Sequence, residues 1–140
     1  MLVTGAPGYR ARVDPSAEGL TYPEVAFDVD PAHVAAFGEV FGVKEGVFPT
    51  FLTAAEFSVL PGIVEDPRVG VNFANVVHGS QEYEIERPPR DGERLAIRSR
   101  IESVKIRGGV GFMTIVMDIV DDAGETVAVC RSSMIEREVP

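Results

Sequence analysis

The second half of the chain constrains the fold most strongly, because four long segments with strand patterning follow one another there. The segments are rich in Val, Ile, Thr and Met, and turn signals such as Gly108-Gly109 separate them. They are Val76 to Arg87, Arg94 to Arg107, Val110 to Asp121 and Glu125 to Arg137. In the second segment apolar residues alternate with arginines, which is typical of an antiparallel sheet with one wet face. The order of the segments predicts a four-stranded meander.

The first half begins with a short strand and a helix. Tyr22 to Val29 alternates well enough for a strand, and Pro23 restricts it to a sheet edge or a strand start. Asp30-Pro31 predicts a helix start, because the Asp side chain can accept hydrogen bonds from free amides and proline has no amide hydrogen to satisfy. Gly42 is expected to end this helix.

A second helix is expected from Pro49 to Leu60, and Pro61-Gly62 is expected to end it. The segment is apolar on most sides, as in a helix that is buried along its length. The pattern as a whole predicts an α+β fold in which an antiparallel sheet wraps one buried helix. We expect a single domain over residues 21–140, preceded by a flexible N-terminal arm over residues 1–20.

Composition excludes several classes of partner. Thirteen Lys and Arg against 22 Asp and Glu give a net charge of −9, which repels nucleic acid and anionic membrane surfaces. Cys130 is the single cysteine and there are two histidines, so the sequence predicts neither an internal disulfide nor a zinc site, and nothing in it implies a cofactor. No apolar run reaches the roughly 20 residues of a membrane span, and no signal peptide is recognisable, so a cytoplasmic protein is expected.

Two strings resemble one protein family. VFPTFLTAAEFSVL, Val47 to Leu60, resembles the central helix of MaoC-like dehydratases, and VVHGSQEYEIERPPRDGERL, Val76 to Leu95, resembles their following strand and turn. The resemblance extends from Tyr22 to Arg137 and implies the hot dog fold. Within the family the chain is most similar to the N-terminal or non-catalytic domains of (3R)-hydroxyacyl dehydratases, which act on acyl thioesters of CoA or acyl carrier protein.

The loop after the first helix lacks the catalytic pair of this family. Catalytic members carry an Asp and a His there, spaced as Asp-x-Asn-Pro-x-His, whereas Val43 stands at the expected Asp position here and no His follows before Pro49. The resemblance therefore implies a non-catalytic subunit of an (R)-specific enoyl thioester hydratase or (3R)-hydroxyacyl dehydratase, inactive alone. It would accommodate the acyl chain and would form a homodimer, or a heterodimer with a catalytic MaoC-like subunit.

Asp28 and His33 imitate the catalytic spacing, with Pro31 between them. However, this string precedes a helix instead of following one, and Asp30-Pro31 is already explained as a helix start. We interpret the string as a helix cap followed by a surface histidine.

Six residues are candidates for binding the acyl thioester. The free amides of Thr50 and Phe51 at the helix start could stabilise a thioester oxygen, although Thr50 could instead only cap the helix. Phe48 and Phe51 could line an acyl tunnel or belong to the core. The resemblance places His78, Gly79 and Gln81 at the groove between paired domains; His78 could also be a structural histidine.

Glu56 is the one charge in the apolar helix and supports different functions. Hot dog thioesterases place a carboxylate on this helix, so a thioesterase using Glu56 is one alternative. A more ordinary interpretation is that Glu56 lies at the helix edge or pairs with an arginine such as Arg98 or Arg100. A further alternative is a homodimer that binds an acyl thioester without transforming it.

Overall fold

The computed structural model describes residues 8–138, which form a five-stranded antiparallel sheet and two α-helices. Short 3-10 turns cover Pro15–Ala17, Pro49–Phe51 and Phe73–Asn75. The main elements are β1 (Val25–Asp28), α1 (Pro31–Phe41), α2 (Leu52–Val64), β2 (Val76–Ile85), β3 (Arg94–Arg107), β4 (Val110–Val120) and β5 (Thr126–Glu136).

Helix α1 begins and ends where local chemistry predicts. The Asp30 carboxylate accepts a hydrogen bond from the Ala32 amide at 3.0 Å, and Pro31 occupies the first helical position. Gly42 adopts the left-handed conformation with φ 71°, which an L-residue reaches only at a cost, and this ends the helix.

Helix α2 does not end at Pro61-Gly62, so this part of the prediction is wrong. The helix continues to Val64, with Pro61 and Gly62 both exposed. Proline removes one backbone hydrogen bond. Ile63 and Val64, at 1% and 8% exposure, bury their side chains just beyond it. Their burial favours another helical turn and outweighs the local helix-stopping signal.

The strand order is β1-β3-β4-β5-β2. The predicted meander is confirmed for β3, β4 and β5, which pair consecutively, and it is wrong for β2. Strand β2 pairs with β5 across the sheet and not with β3, its neighbour in sequence. The connection after β2 contains Pro88-Pro89, which has no amide hydrogens to donate to a hairpin ladder. Gly92 and Glu93 instead exchange backbone hydrogen bonds with Val29, each at 2.8 Å. Strand β2 is therefore an edge strand.

The sheet wraps α2, which confirms the predicted α+β fold. Side chains of α2 and of the inner sheet face form one buried apolar cluster. Its fully buried members include Phe51, Leu52, Ala55, Ile63, Leu95, Ile97, Ile101, Ile115, Met117 and Ile119. Within residues 8–138, no helix is both long and apolar enough to cross a membrane.

Residues 8–20 pack against the end of the sheet. Ala11, Val13 and Ala17 are buried, and the buried carboxylate of Glu136 accepts hydrogen bonds from the amides of Arg12 and Val13 at 2.8–3.0 Å. These contacts hold Ala11 to Ala17 against the sheet in the structure. The expected flexibility of residues 1–20 stays a prediction, and residues 1–7 lie outside the described residues.

Candidate functional site

A β-bulge at Gly79 sets the direction of His78. The pairing register between β2 and β5 shifts there: His78 lies opposite Met134, whereas Gln81 lies opposite Ser132. Met134 and Ser132 are both buried on the sheet face toward α2. His78 and Gln81, three positions apart, would face opposite sides of a regular strand. The bulge brings both to the α2 side of the open edge.

Gly79 is suited to the bulge because a side chain there would meet the neighbouring strand. A Cβ atom on Gly79 would lie 2.9 Å from Ile135 Cδ1 and 3.4 Å from the Ser133 carbonyl oxygen. A larger residue would therefore have to displace Ile135. His78 and Gly79 are exposed and Gln81 is half-buried, so the strand presents these candidates along its open edge.

A buried polar network lies behind this edge, and we call it the Glu56 cluster: Glu56, Gln81, Tyr83, Cys130 and Ser132. Tyr83 donates to Glu56 Oε2 at 3.0 Å, and the Ser132 hydroxyl donates to Glu56 Oε1. Ser132 Oγ also lies 2.8 Å from Gln81 Oε1, and Gln81 Nε2 lies 2.6 Å from Cys130 Sγ. The cluster joins α2, β2 and β5.

The expected edge position or arginine partner of Glu56 is wrong. Glu56 is 0% exposed, Arg98 pairs with Glu24 at 2.8 Å, and Arg100 pairs with Asp118. Hydroxyl donors, not a cation, compensate for the burial of the carboxylate. The sequence contains a signal for this arrangement. Ser132 lies two positions from Cys130 and from Met134 on β5, so the alternation places its hydroxyl on the buried face with them.

Burial keeps two groups of this cluster protonated. Burial first, and then the nearby Glu56 charge, raises the pKa of Cys130 to about 12. Burial likewise raises the pKa of Tyr83 well above its ordinary value, with Glu56 adding to the effect. Both groups are therefore neutral hydrogen-bonding groups at physiological pH, and Cys130 is a poor nucleophile.

The start of α2 differs from the predicted oxyanion site. Pro49–Phe51 forms a 3-10 turn, and the Phe51 amide donates to the Phe48 carbonyl at 2.8 Å. This amide is therefore occupied, and the predicted oxyanion role of Phe51 does not fit the structure. Thr50 is exposed and provides no side-chain cap for the turn or for α2, so the capping alternative does not fit the structure. The oxyanion role of its amide stays a prediction.

The candidate aromatic residues pack against α1. The Phe48 ring lies 6.3 Å from that of Phe37 and 5.7 Å from that of Phe41. Phe51 is 1% exposed, and its ring contacts His33 edge-on at 4.9 Å. The structure thus groups Phe48, Thr50 and Phe51 at the start of α2, while His78, Gly79 and Gln81 lie on β2.

An apolar cavity of about 260 Å³ lies between the second half of α2 and the sheet. Exposed aromatic side chains, Phe57 and Phe73, stand beside it. The lining residues are Phe57, Leu60, Pro61, Val64, Glu65, Phe73 and Met134. Because Met134 lies opposite His78, the cavity adjoins the bulged part of the open edge.

The described residues contain no acid–imidazole pair. Asp28 lies 3.9 Å from Arg94, Asp30 caps α1, and the His33 ring packs on Phe51. Neither histidine has a hydrogen bond or ion pair with a carboxylate in residues 8–138. The string from Asp28 to His33 is thus a strand end and a capped helix start.

The architecture is the hot dog fold of MaoC-like dehydratases, as two solved structures show. The C-terminally truncated HadBC (3R-hydroxyacyl-ACP dehydratase) complex from Mycobacterium tuberculosis superposes with a TM-score of 0.72 at 18% identity, covering 85% of this chain and 96% of that one. A MaoC-like dehydratase gives a TM-score of 0.77 at 17% identity, covering 89% of this chain and 43% of that one.

Residues 23–130 match the family model described as FAS1-like, dehydratase domain region, and the chain belongs to this family. The resemblance to MaoC-like dehydratases is thereby confirmed. A UPF0336 protein of Leifsonia xyli subsp. xyli is 32% identical over 122 residues, which cover 87% of this chain and 78% of that relative.

Proposed function

We propose that this chain is the non-catalytic, acyl-accommodating subunit of an (R)-specific enoyl thioester hydratase or (3R)-hydroxyacyl dehydratase. The reaction moves a proton at C2 and handles water at C3, so two titratable groups must face one thioester. One observation carries this proposal: within residues 8–138, neither histidine forms a hydrogen bond or an ion pair with a carboxylate, and the His33 ring packs on Phe51 instead. Residues 42–51, between α1 and α2, contain neither Asp nor His.

In this proposal the acyl thioester binds at the open edge of β2. The exposed His78 imidazole offers a polar group on the α2 side, and the apolar cavity adjoins it. The Gln81 amide lies beside it but is already bonded to Cys130 and Ser132, so Gln81 supports the site from behind. The cavity volume of about 260 Å³ is near the lower end of ligand pockets, which start at roughly 300 Å³. The cavity therefore fits part of an acyl chain, with the thioester head directed toward the partner subunit.

The partner in this proposal is a second hot dog domain that supplies the missing Asp and His. The HadBC complex, a structural neighbour, supports assembly with another hot dog subunit. The open edge of β2 offers the backbone groups for such an association.

The proposal gives Glu56 no part in water activation. Its carboxylate is 0% exposed and already accepts from Tyr83 and Ser132, so it does not reach a thioester carbonyl. A thioesterase built on Glu56 would need this network to open.

Hydration of crotonyl-CoA tests the proposal. The purified chain alone should give no turnover above background, and turnover should appear when a MaoC-like partner with an intact Asp-x-Asn-Pro-x-His loop is added. The control is the same partner with its loop His replaced by Ala. Turnover by the single chain that is abolished in Asp28→Ala or His33→Ala would contradict the proposal.

Native mass spectrometry separates the proposal from a homodimeric binding protein. A homodimer that retains an acyl species, and gains no activity with the catalytic partner, would favour the binding protein instead. Release of free thiol from acyl-CoA that is lost in Glu56→Gln would favour a thioesterase.

A further inference from the structure

Strand β2 and the residue after it carry three exposed carboxylates on the sheet face away from α2. Glu82 and Glu84 lie within the strand and Glu86 follows it directly, and we call these residues the acidic ladder. Arg131, opposite Glu82 on β5, is bound to Glu102 at 3.3 Å. Because Arg131 already pairs with Glu102, it does not neutralise the three carboxylates of the acidic ladder, which keeps a net negative charge.

Among residues 8–138, no strand pairs with the outer side of the backbone beside the acidic ladder. The Glu86 amide donates to the Val127 carbonyl at 2.9 Å. Because hydrogen-bonded and non-hydrogen-bonded positions alternate in an antiparallel pair, Glu82 and Glu84 also bond toward β5. Gln81, Tyr83 and Ile85 then direct their amides and carbonyls to the open edge.

The opposite edge of the sheet is poorly suited to association. Strand β1 has only four residues, and Pro23 precedes it closely. Short edge strands and nearby prolines discourage pairing with other chains. β2, with ten residues, is the longer open edge of the sheet.

Pairing of two copies through β2 would bring the acidic ladders together. Residues directly opposite each other in a sheet lie on the same face. A two-fold axis at Tyr83 places Glu82 of each copy opposite Glu84 of the other. An axis at Glu82 or at Glu84 places that residue opposite itself. Every register centred on this part of the strand therefore opposes like charges.

We propose that the acidic ladder selects the partner subunit. Strand β2 pairs with the edge strand of a second hot dog domain that carries Lys or Arg opposite Glu82, Glu84 and Glu86, and it disfavours pairing with a second copy of this chain. This inference rests on the proposed function, which requires a hot dog partner, and it specifies the chemistry of that partner's edge. The acidic ladder thereby disfavours the non-productive homodimer, which lacks the catalytic pair in both halves.

Charge-changed versions of the chain test this inference without knowledge of the natural partner. E82K/E84K/E86K supplies a basic edge, and E82Q/E84Q/E86Q supplies a neutral one. Sedimentation equilibrium at low salt should show a one-to-one complex of the wild type with the Lys variant. The dissociation constant of this complex should be at least about tenfold lower than that of the homodimer of either protein, and high salt should weaken the complex.

The neutral variant should self-associate roughly tenfold more tightly than the wild type, because opposed carboxylates are removed. The matched control is E39Q/D122N/E125Q, which removes three exposed carboxylates away from β2 and should leave self-association unchanged. Thermal unfolding followed by circular dichroism verifies that all variants are folded.

Self-association of the wild type as tight as that of the neutral variant would overturn the inference. Absence of any complex between the wild type and the Lys variant would overturn it too. The crotonyl-CoA assay reports on the proposed function separately. If the Lys variant activates the catalytic partner as well as the wild type does, the chain is still a subunit of the enzyme, but the acidic ladder does not select its partner.

Discussion

Replacing Ser132 with alanine removes the hydroxyl that donates to Glu56 inside the core. Both side chains are 0% exposed, so water does not replace the lost donor. A hydrogen bond to a charged group contributes about 1.5–3 kcal/mol, and a buried charge left short of donors costs more. Tyr83 still donates to the other carboxylate oxygen. We therefore expect S132A to lower the free energy of unfolding by about 2–3 kcal/mol.

E56Q should cost less, about 1 kcal/mol, because it removes the buried charge and keeps a side chain of the same shape. Its amide can accept from one hydroxyl and donate to the other. In the double variant E56Q/S132A no buried carboxylate is left without its donor. The double variant should therefore lose less stability than the sum of the losses in S132A and E56Q, by about 1 kcal/mol or more.

Guanidinium chloride unfolding, followed by circular dichroism at one protein concentration, measures these differences. S133A is the matched control: Ser133 is the next residue on β5, half-buried on the opposite face, and its substitution should change stability by less than about 0.5 kcal/mol. Equal effects of S132A and S133A, or additive costs in the double variant, would refute the assignment of Ser132 as a required donor to Glu56.

Three further predictions concern other parts of the chain. H78A should lower turnover of the complex with a catalytic partner by about tenfold or more and leave the unfolding midpoint unchanged, whereas H33A should preserve turnover. The Cys130 thiol has an ordinary pKa of 9.0 when unfolded, and burial raises its pKa to about 12. The free energy of unfolding of the wild type should therefore fall as the pH rises from 9.0 toward 12, and that of C130A, measured in the same way, should fall less. E136Q should weaken the attachment of Arg12 and Val13 to β5, so trypsin should cleave after Arg12 faster than in the wild type. An unchanged cleavage rate would show that Glu136 does not hold this segment.

Features set by neighbouring residues could be predicted from the sequence. Asp30-Pro31 and Gly42 define α1 through contacts within one turn of the chain. The bounds Arg94–Arg107 of β3 agree with the prediction, because turn glycines and alternation are local signals. Features that depend on distant partners could not be predicted in this way. The end of α2 was misplaced because its final turn is stabilised by core packing.

The candidate site shows the same division. The sequence alone identified His78 and Gln81 as neighbours on one strand and revealed that the loop between the helices has no Asp–His pair. Only the tertiary structure decided that the Gly79 bulge turns His78 toward α2, that Glu56 is buried beneath hydroxyl donors, and that β2 lies at an open edge. Each of these outcomes depends on β5, which lies far along the chain from His78 and from Glu56. The pairing of remote strands is fixed by the packing of the whole sheet on its helix.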